Sequence, residues 1–190
     1  MYGQEFSDAV YKHIDDTMDH FNTLGVVDWD VINEMIDQGG VNHTFYMDQS
    51  GNPNIRVEIH KYVKNKYPNN LFYINDYGII MDKNDRFSLF QQLLRGLISN
   101  GVVIDGIGLQ SHIRGDEYLD WNLVKQRIEM LWTEFGIPLW ITEFDWNGDL
   151  DDSHVGWGDH TFHAEVLTDF YRLMFSQEVH YYHHYISYSQ

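Results

Sequence analysis

The sequence predicts an α/β fold built on a parallel sheet. Short apolar, β-branched runs alternate along the chain with longer runs of helical periodicity, in the order α-β-α-β-α-β-α-β-α with short returns. The potentially reactive residues Asn33, Glu34, Asn75, Tyr77, Gln110, His112 and Glu143 fall at or just after the carboxyl ends of the expected strands. In parallel α/β folds that edge is where ligands bind.

Each element has its own signal. Ser7 or Asp8 can cap a first helix whose stripe is Val10, Ile14, Met18 and Phe21, closed by Leu24-Gly25. Val26–Glu34 reads as an apolar strand ending in a carboxylate, and residues 37–54 as a polar, Gly-rich loop. A helix over Ile55–Lys66 stops at Tyr67-Pro68, and Leu71–Asn75 is the next strand, leading into a loop at Asp76-Tyr77-Gly78. Ser88 opens a helix carrying Leu89, Leu93, Leu94, Leu97 and Ile98, which ends at Asn100-Gly101. Ile104–Leu109 is a strand with Gln110-Ser111-His112 at its end. Tyr118–Phe135 is a helix striped by Trp121, Val124, Ile128, Leu131 and Phe135. Leu139–Phe144 is a short buried strand after the Gly136-Ile137-Pro138 stop. An acidic loop over 145–159 leads to a helix at Thr161–Phe175 that buries Phe162, Val166, Phe170 and Met174.

The totals narrow the function classes. A chain of 190 residues with 43% hydrophobic content fits one domain with a real core. A formal net charge of −17 disfavours nucleic acid, because phosphate affinity rests on clustered Lys and Arg. With no cysteine there is neither a disulfide nor a thiolate metal site. No apolar run reaches the roughly 18 residues of a membrane span, and Met1-Tyr2-Gly3-Gln4-Glu5 opens without the pattern of a signal peptide. One sequon, Asn42-His43-Thr44, would accept a glycan in a secreted chain.

A carboxylate ending an apolar strand is costly to desolvate unless something pairs or uses it. Glu34 and Glu143 both stand in that position, far apart in sequence. Two carboxylates facing one cleft is the arrangement that glycoside hydrolysis requires. Taken singly, each residue has a structural alternative: an Asn-Glu pair after a strand is usually a loop start or helix cap, and a lone strand-end His a satisfied structural one.

Joint occurrence changes that weighting. The stretches Trp29-Asp30-Val31-Ile32-Asn33-Glu34, Tyr73-Ile74-Asn75-Asp76-Tyr77, Gly106–His112 and Ile141-Thr142-Glu143-Phe144-Asp145 resemble, in order and spacing, successive signatures of glycoside hydrolase family ten. These are retaining endo-β-1,4-xylanases on a (β/α)8 TIM barrel. The resemblance implies that Glu143 is the nucleophile and Glu34 the general acid/base. It implies that His112 hydrogen-bonds the nucleophile, that Asp145 orients that imidazole, and that Asp30 and Trp29 give support. Asn33 resembles the amide that contacts the sugar 2-OH, and Gln110, Asn75 and Tyr77 resemble sugar-contacting residues. The expected partner is a xylan-like β-1,4-linked polysaccharide. No cofactor, metal, nucleic acid or membrane partner is expected.

The resemblance covers roughly residues 5 to 176 and is incomplete. A full barrel needs about 200–250 residues at least. By resemblance the chain holds the fourth to seventh β/α units, flanking helices and a degenerate eighth strand, so the first three units and their sugar-clamping Lys, His, Trp and Gln residues are absent. Residues 1–176 then form a partial barrel domain and 177–190 a divergent tail, where no Trp follows Trp157. An uncovered sheet edge invites self-association, and weak activity is expected of the chain alone. The competing reading is an inert carbohydrate-binding or structural remnant of the same fold. The run Asp145-x-Asn147-x-Asp149-x-Asp151 lacks the Gly and Glu of a calcium loop and reads as a solvated acidic loop. His180, His183 and His184 lack a fourth metal ligand. The whole protein is expected outside the cell, where its polymer is.

Overall fold

A computed structural model describes residues 1–36, 44–81, 84–114, 120–147 and 160–176. The elements are α1 (Gln4–Asn22), β1 (Asp28–Asp30), α2 (Phe45–Ser50), α3 (Ile55–Lys66), β2 (Leu71–Tyr77), α4 (Arg86–Ser99), β3 (Gly106–Arg114), α5 (Trp121–Phe135), β4 (Leu139–Asn147) and α6 (His160–Ser176). The strands are ordered β1-β2-β3-β4, with β1 parallel to β2 and β3 parallel to β4. The expected parallel α/β alternation is therefore what folds. Residues 42–43 of the sequon, the start of the helix expected at Tyr118, the acidic stretch beyond Asn147 and the 177–190 tail with its three histidines lie outside the described residues.

The chain divides into two compact units. The first comprises Met1–Asn75 and Ser88–Gly106. In it α1 begins earlier than its expected Ser7 or Asp8 cap. Gly3 takes φ 61°, donates its N–H to the Gln49 carbonyl at 2.7 Å, and starts the helix, leaving Ser7 inside the first turn. Met18 of α1, Val63 of α3, Tyr67 and Phe72 of β2 form a buried cluster, with Ile14, Trp29 and Tyr62 packed against it. Phe21, expected on the α1 stripe, stays 41% exposed. At the foot of β2, Asp105 accepts from the Phe72 N–H and from Lys64 Nζ at 3.0 and 2.8 Å. This ties α3 to the strand start.

Two expectations fail here. The strand expected over Val26–Glu34 shrinks to Asp28–Asp30, because Val26 and Val27 are exposed and contribute no burial. The loop expected over 37–54 contains helix α2, a six-residue turn closed by Gly51 at φ 67°. By contrast, α3 has the expected bounds.

The second unit comprises Asp76–Phe87 and Ile107–Gln190. Ile107, Leu109 and Ile113 of β3, Val124, Ile128 and Leu131 of α5, Leu139 of β4, and Val166, Phe170 and Met174 of α6 are all buried. Helix α5 starts where Asp120 accepts from the N–H groups of Asn122 and Leu123, and ends at Gly136 with φ 62°, a left-handed stop that a side chain would strain. Three strands run past their expected ends: β2 includes Asp76 and Tyr77, β3 reaches Arg114 and β4 reaches Asn147. Gln110, His112 and Asp145 are thus residues within strands, not beyond them. Ladder hydrogen bonds outlast the apolar run that marks a strand in sequence.

Candidate active site

Side chains of a strand alternate between its two faces, so pairing register decides which residues share a face. On β3 and β4 the register begins with Ile107 opposite Leu139, Gly108 opposite Trp140 and Leu109 opposite Ile141. It then shifts by one: Gln110 stands opposite Glu143, Ser111 opposite Phe144 and His112 opposite Asp145. Thr142 is the extra residue, a bulge in a parallel pair, where bulges are rare.

The bulge changes the chemistry of the face. Unbroken alternation would put Glu143 on the side of Leu139 and Ile141, which is the side of the buried Ile107 and Leu109. After the shift, Phe144 takes that side and packs its ring 4.3 Å from Phe170 of α6. Glu143 and Asp145 turn to the opposite face, with Gln110 and His112. There His112 Nε2 lies 3.0 Å from Glu143 Oε2, and His112 Nδ1 lies 2.8 Å from Asp145 Oδ2. All three side chains are between about a third and a half exposed, so solvent and a ligand can reach them.

Ionised carboxylates only accept hydrogen bonds, and neutral imidazole has one N–H. Two simultaneous bonds therefore require one extra proton, held by the imidazole or by one of the carboxyls. Glu143 is held by a group that is itself held by Asp145, which fixes both the position of the carboxylate and the ring orientation.

The first unit presents Asn33 and Glu34, both exposed, between the buried Ile32 and the buried Met35-Ile36. Glu34 has φ 54°, the one positive-φ non-glycine residue among those described. Its N–H donates to the Asn75 carbonyl at 3.0 Å, and Asn33 Nδ2 donates to Glu34 Oε1 at 3.3 Å. The apolar residues on either side anchor the turn, and the strained backbone aims the carboxylate outward. Strain of this kind concentrates at functional positions.

Along β2, Tyr73, Asn75 and Tyr77 share one face by alternation, and Phe72, Ile74 and Asp76 the other. Tyr73 donates to Asp28 Oδ1 at 3.1 Å, and burial together with that carboxylate raises its pKa. Asp30 ends β1, exposed and opposite Tyr73 in register. Trp29 faces Phe72 in register and packs on the helix-side cluster, so its support is to the core.

Asp76 and Arg86 form a buried pair that the sequence alone does not mark. Their side chains are 1% and 2% exposed, with Arg86 Nη2 2.7 Å from Asp76 Oδ1. The available signal was an Asp closing an otherwise apolar strand with an Arg ten residues later. Among the described residues no group of three or more His, Cys, Asp and Glu is arranged to hold a metal ion, and no described helix is long and apolar enough to cross a membrane.

The profile of glycosyl hydrolase family 10 matches residues 2–185. The chain belongs to glycosyl hydrolase family 10. Endo-1,4-beta-xylanase A of Thermoanaerobacterium saccharolyticum is 32% identical over 140 residues, which is 71% of this chain and 12% of that protein. Endo-1,4-beta-xylanase B of Thermotoga neapolitana is 29% identical over 150 residues, 75% of this chain and 42% of that protein. The crystal structure of an intracellular xylanase from T. saccharolyticum superposes with a TM-score of 0.70 at 27% identity, covering 85% of this chain and 49% of that one. Xylanase 10B of Thermotoga petrophila, at 23% identity and a TM-score of 0.75, shows the same fold over 93% of this chain and 52% of its own. This family 10 chain thus has the fold of part of a (β/α)8 barrel, as the four parallel strands with their helices also show. It spans about half the length of the solved xylanases it matches.

Proposed function

We propose that the protein hydrolyses internal β-1,4 bonds of xylan or a related hemicellulose with retention of configuration. The observation that supports this best is the bridge from Asp145 through His112 to Glu143, created by the Thr142 bulge. A nucleophilic carboxylate must be ionised, exposed to substrate and fixed in place, and Glu143 has the fixed and exposed setting. Solved relatives from T. saccharolyticum are complexes of mutants with xylotriose and xylotetraose, which supports a xylo-oligosaccharide as ligand.

In this reading Glu143 attacks the anomeric carbon while Glu34 gives its proton to the departing glycosidic oxygen. Water then enters, Glu34 takes its proton, and the oxygen displaces Glu143 from the sugar. The chemistry requires the two carboxyls about 5–5.5 Å apart. Asn33 contacts the sugar 2-OH, and Gln110, Asn75 and Tyr77 hold the chain of sugars. A polymeric substrate favours a whole protein that acts outside the cell, which cell fractionation tests.

Azide rescue tests the assignment, using an aryl β-xylobioside so that slow turnover stays measurable. Glu143→Gly is expected to lose hydrolysis by more than about a thousandfold. With azide it should release the α-configured glycosyl azide, whereas Glu34→Ala should release the β-configured one. Rescue of neither variant, or the opposite stereochemistry, sinks the roles. The competing reading is an inert carbohydrate-binding or structural remnant of the same fold. It is favoured if the parent chain binds xylo-oligosaccharides without cleaving even the activated xylobioside.

A further inference from the structure

We propose that Arg86 is a positioning residue that presents the ring of Tyr77 to the substrate, an inference resting on the reading of Tyr77 as a sugar-contacting residue. The Arg86 guanidinium lies over the Tyr77 ring, 3.6 Å from its centroid. Arg86 Nε donates to the Tyr77 carbonyl at 2.7 Å, and Nη2 to Asp76 Oδ1 at 2.7 Å. The same Asp76 oxygen accepts from the Tyr77 N–H at 2.9 Å. The three residues close a loop of contacts in which both main-chain polar groups of Tyr77 are held and one ring face is covered.

Burial makes this arrangement informative. An ion pair this deeply buried is weak evidence for stability, since well-packed apolar residues of similar volume often do as well or better. What an arginine supplies and an apolar residue does not is a rigid plane that donates along its edge while stacking through its face. Here the edge grips the backbone and the face fixes the ring. Tyr77 itself is half-buried, and among the described residues its hydroxyl makes no hydrogen bond. Arg86 covers one ring face, so a pyranose would meet the hydroxyl or the other face. Ordering a ring before binding removes an entropy cost that the sugar contacts would otherwise have to offset.

The test uses the full chain with Glu143→Ala, so that xylotetraose binds without turnover, and reads two quantities. Ring-labelled tyrosine NMR reports how fast the Tyr77 ring flips, and calorimetry reports affinity. Arg86→Lys keeps the charge beside Asp76 but removes the plane. It is expected to speed the ring flip and to weaken binding about threefold to tenfold. In a Tyr77→Ala background the same substitution should change affinity by less than twofold. Should Arg86→Lys fail to fold, the paired replacement Asp76→Leu with Arg86→Met removes both buried charges and is expected to give the same two effects. An unchanged flip rate, or an equal loss of affinity with and without Tyr77, overturns the proposal for Arg86. If the flip accelerates while Tyr77→Ala leaves affinity intact, or if the parent binds no xylotetraose, it is the sugar-contact reading that has failed, and the substrate role of Arg86 falls with it.

Discussion

Gln110 of β3 stands opposite Glu143 of β4, one residue further along than the Leu109–Ile141 pair before it allows. That offset puts Glu143 and Asp145 on the His112 face. Deleting Thr142 would restore continuous register with Glu143 still opposite Gln110 and Asp145 still opposite His112. Both carboxylates keep the His112 face, so the deletion should cost less than about 2 kcal/mol. Urea unfolding measures it. A loss of more than about 4 kcal/mol would mean that the fold needs the bulged residue itself.

His112→Asn and Asp145→Asn leave Glu143 in place but release what orients it. Each is expected to lower kcat on the aryl xylobioside by roughly a hundredfold, with a smaller effect on KM. Because both act through one carboxylate, the double variant should be little worse than either single one. Multiplying effects would show two independent roles.

Glu34 holds a left-handed backbone that a β-carbon makes costly. Glu34→Gly should therefore be more stable than Glu34→Ala by about 1 kcal/mol, although both lose the acid/base. Chemical denaturation of the pair checks this. Equal stabilities would show that the turn relaxes once the carboxylate is gone.

His60 of α3 is buried, its Nδ1–H donating to the Arg56 carbonyl at 2.7 Å, while among the described residues its Nε2 finds no partner. Burial holds its pKa down at about 4, against the opposing pull of the hydrogen bond to the Arg56 carbonyl. The unfolded chain takes up this proton near pH 6.5 and the folded chain only near 4, so stability falls as pH drops between those values. Their difference corresponds to roughly 3 kcal/mol lost across the window. His60→Leu should flatten that part of the unfolding free energy against pH. An unchanged slope would assign the acid sensitivity elsewhere.

Asp120→Ala removes the acceptor for two N–H groups at the start of α5 and is expected to cost about 1 kcal/mol, whereas Asp120→Ser should recover most of it. A thermal melt of the three proteins decides. No recovery by serine would mean that the cap is not what Asp120 supplies.

Helix α3, the C-terminal stop at Gly136 and the order of strands and helices could all be read from the chain, because apolar spacing and glycine stops are local properties. So could the residue types of the candidate site: His112, Glu143 and Asp145 were singled out together through their motifs. Their mutual contact followed from the family resemblance but not from the strand pattern. Continuous alternation through Leu139–Asp145 puts Ile141, Glu143 and Asp145 on a single face, and nothing in the composition of Ile-Thr-Glu marks a bulge. Val26 and Val27 misled in the opposite direction: an apolar pair reads as buried strand, yet both side chains stay in solvent.

The amino-acid sequence by itself determined the alternating architecture, the identity of the candidate catalytic groups and the acidic, cysteine-free character of the chain. Only tertiary structure decided which face Glu143 occupies, that Arg86 lies against Tyr77, and that Glu34 sits on a left-handed turn bonded to Asn75. The reason is physical. Helical and strand preferences arise from neighbours a few residues away, whereas register, stacking and backbone strain depend on strands and loops brought together from distant parts of the chain.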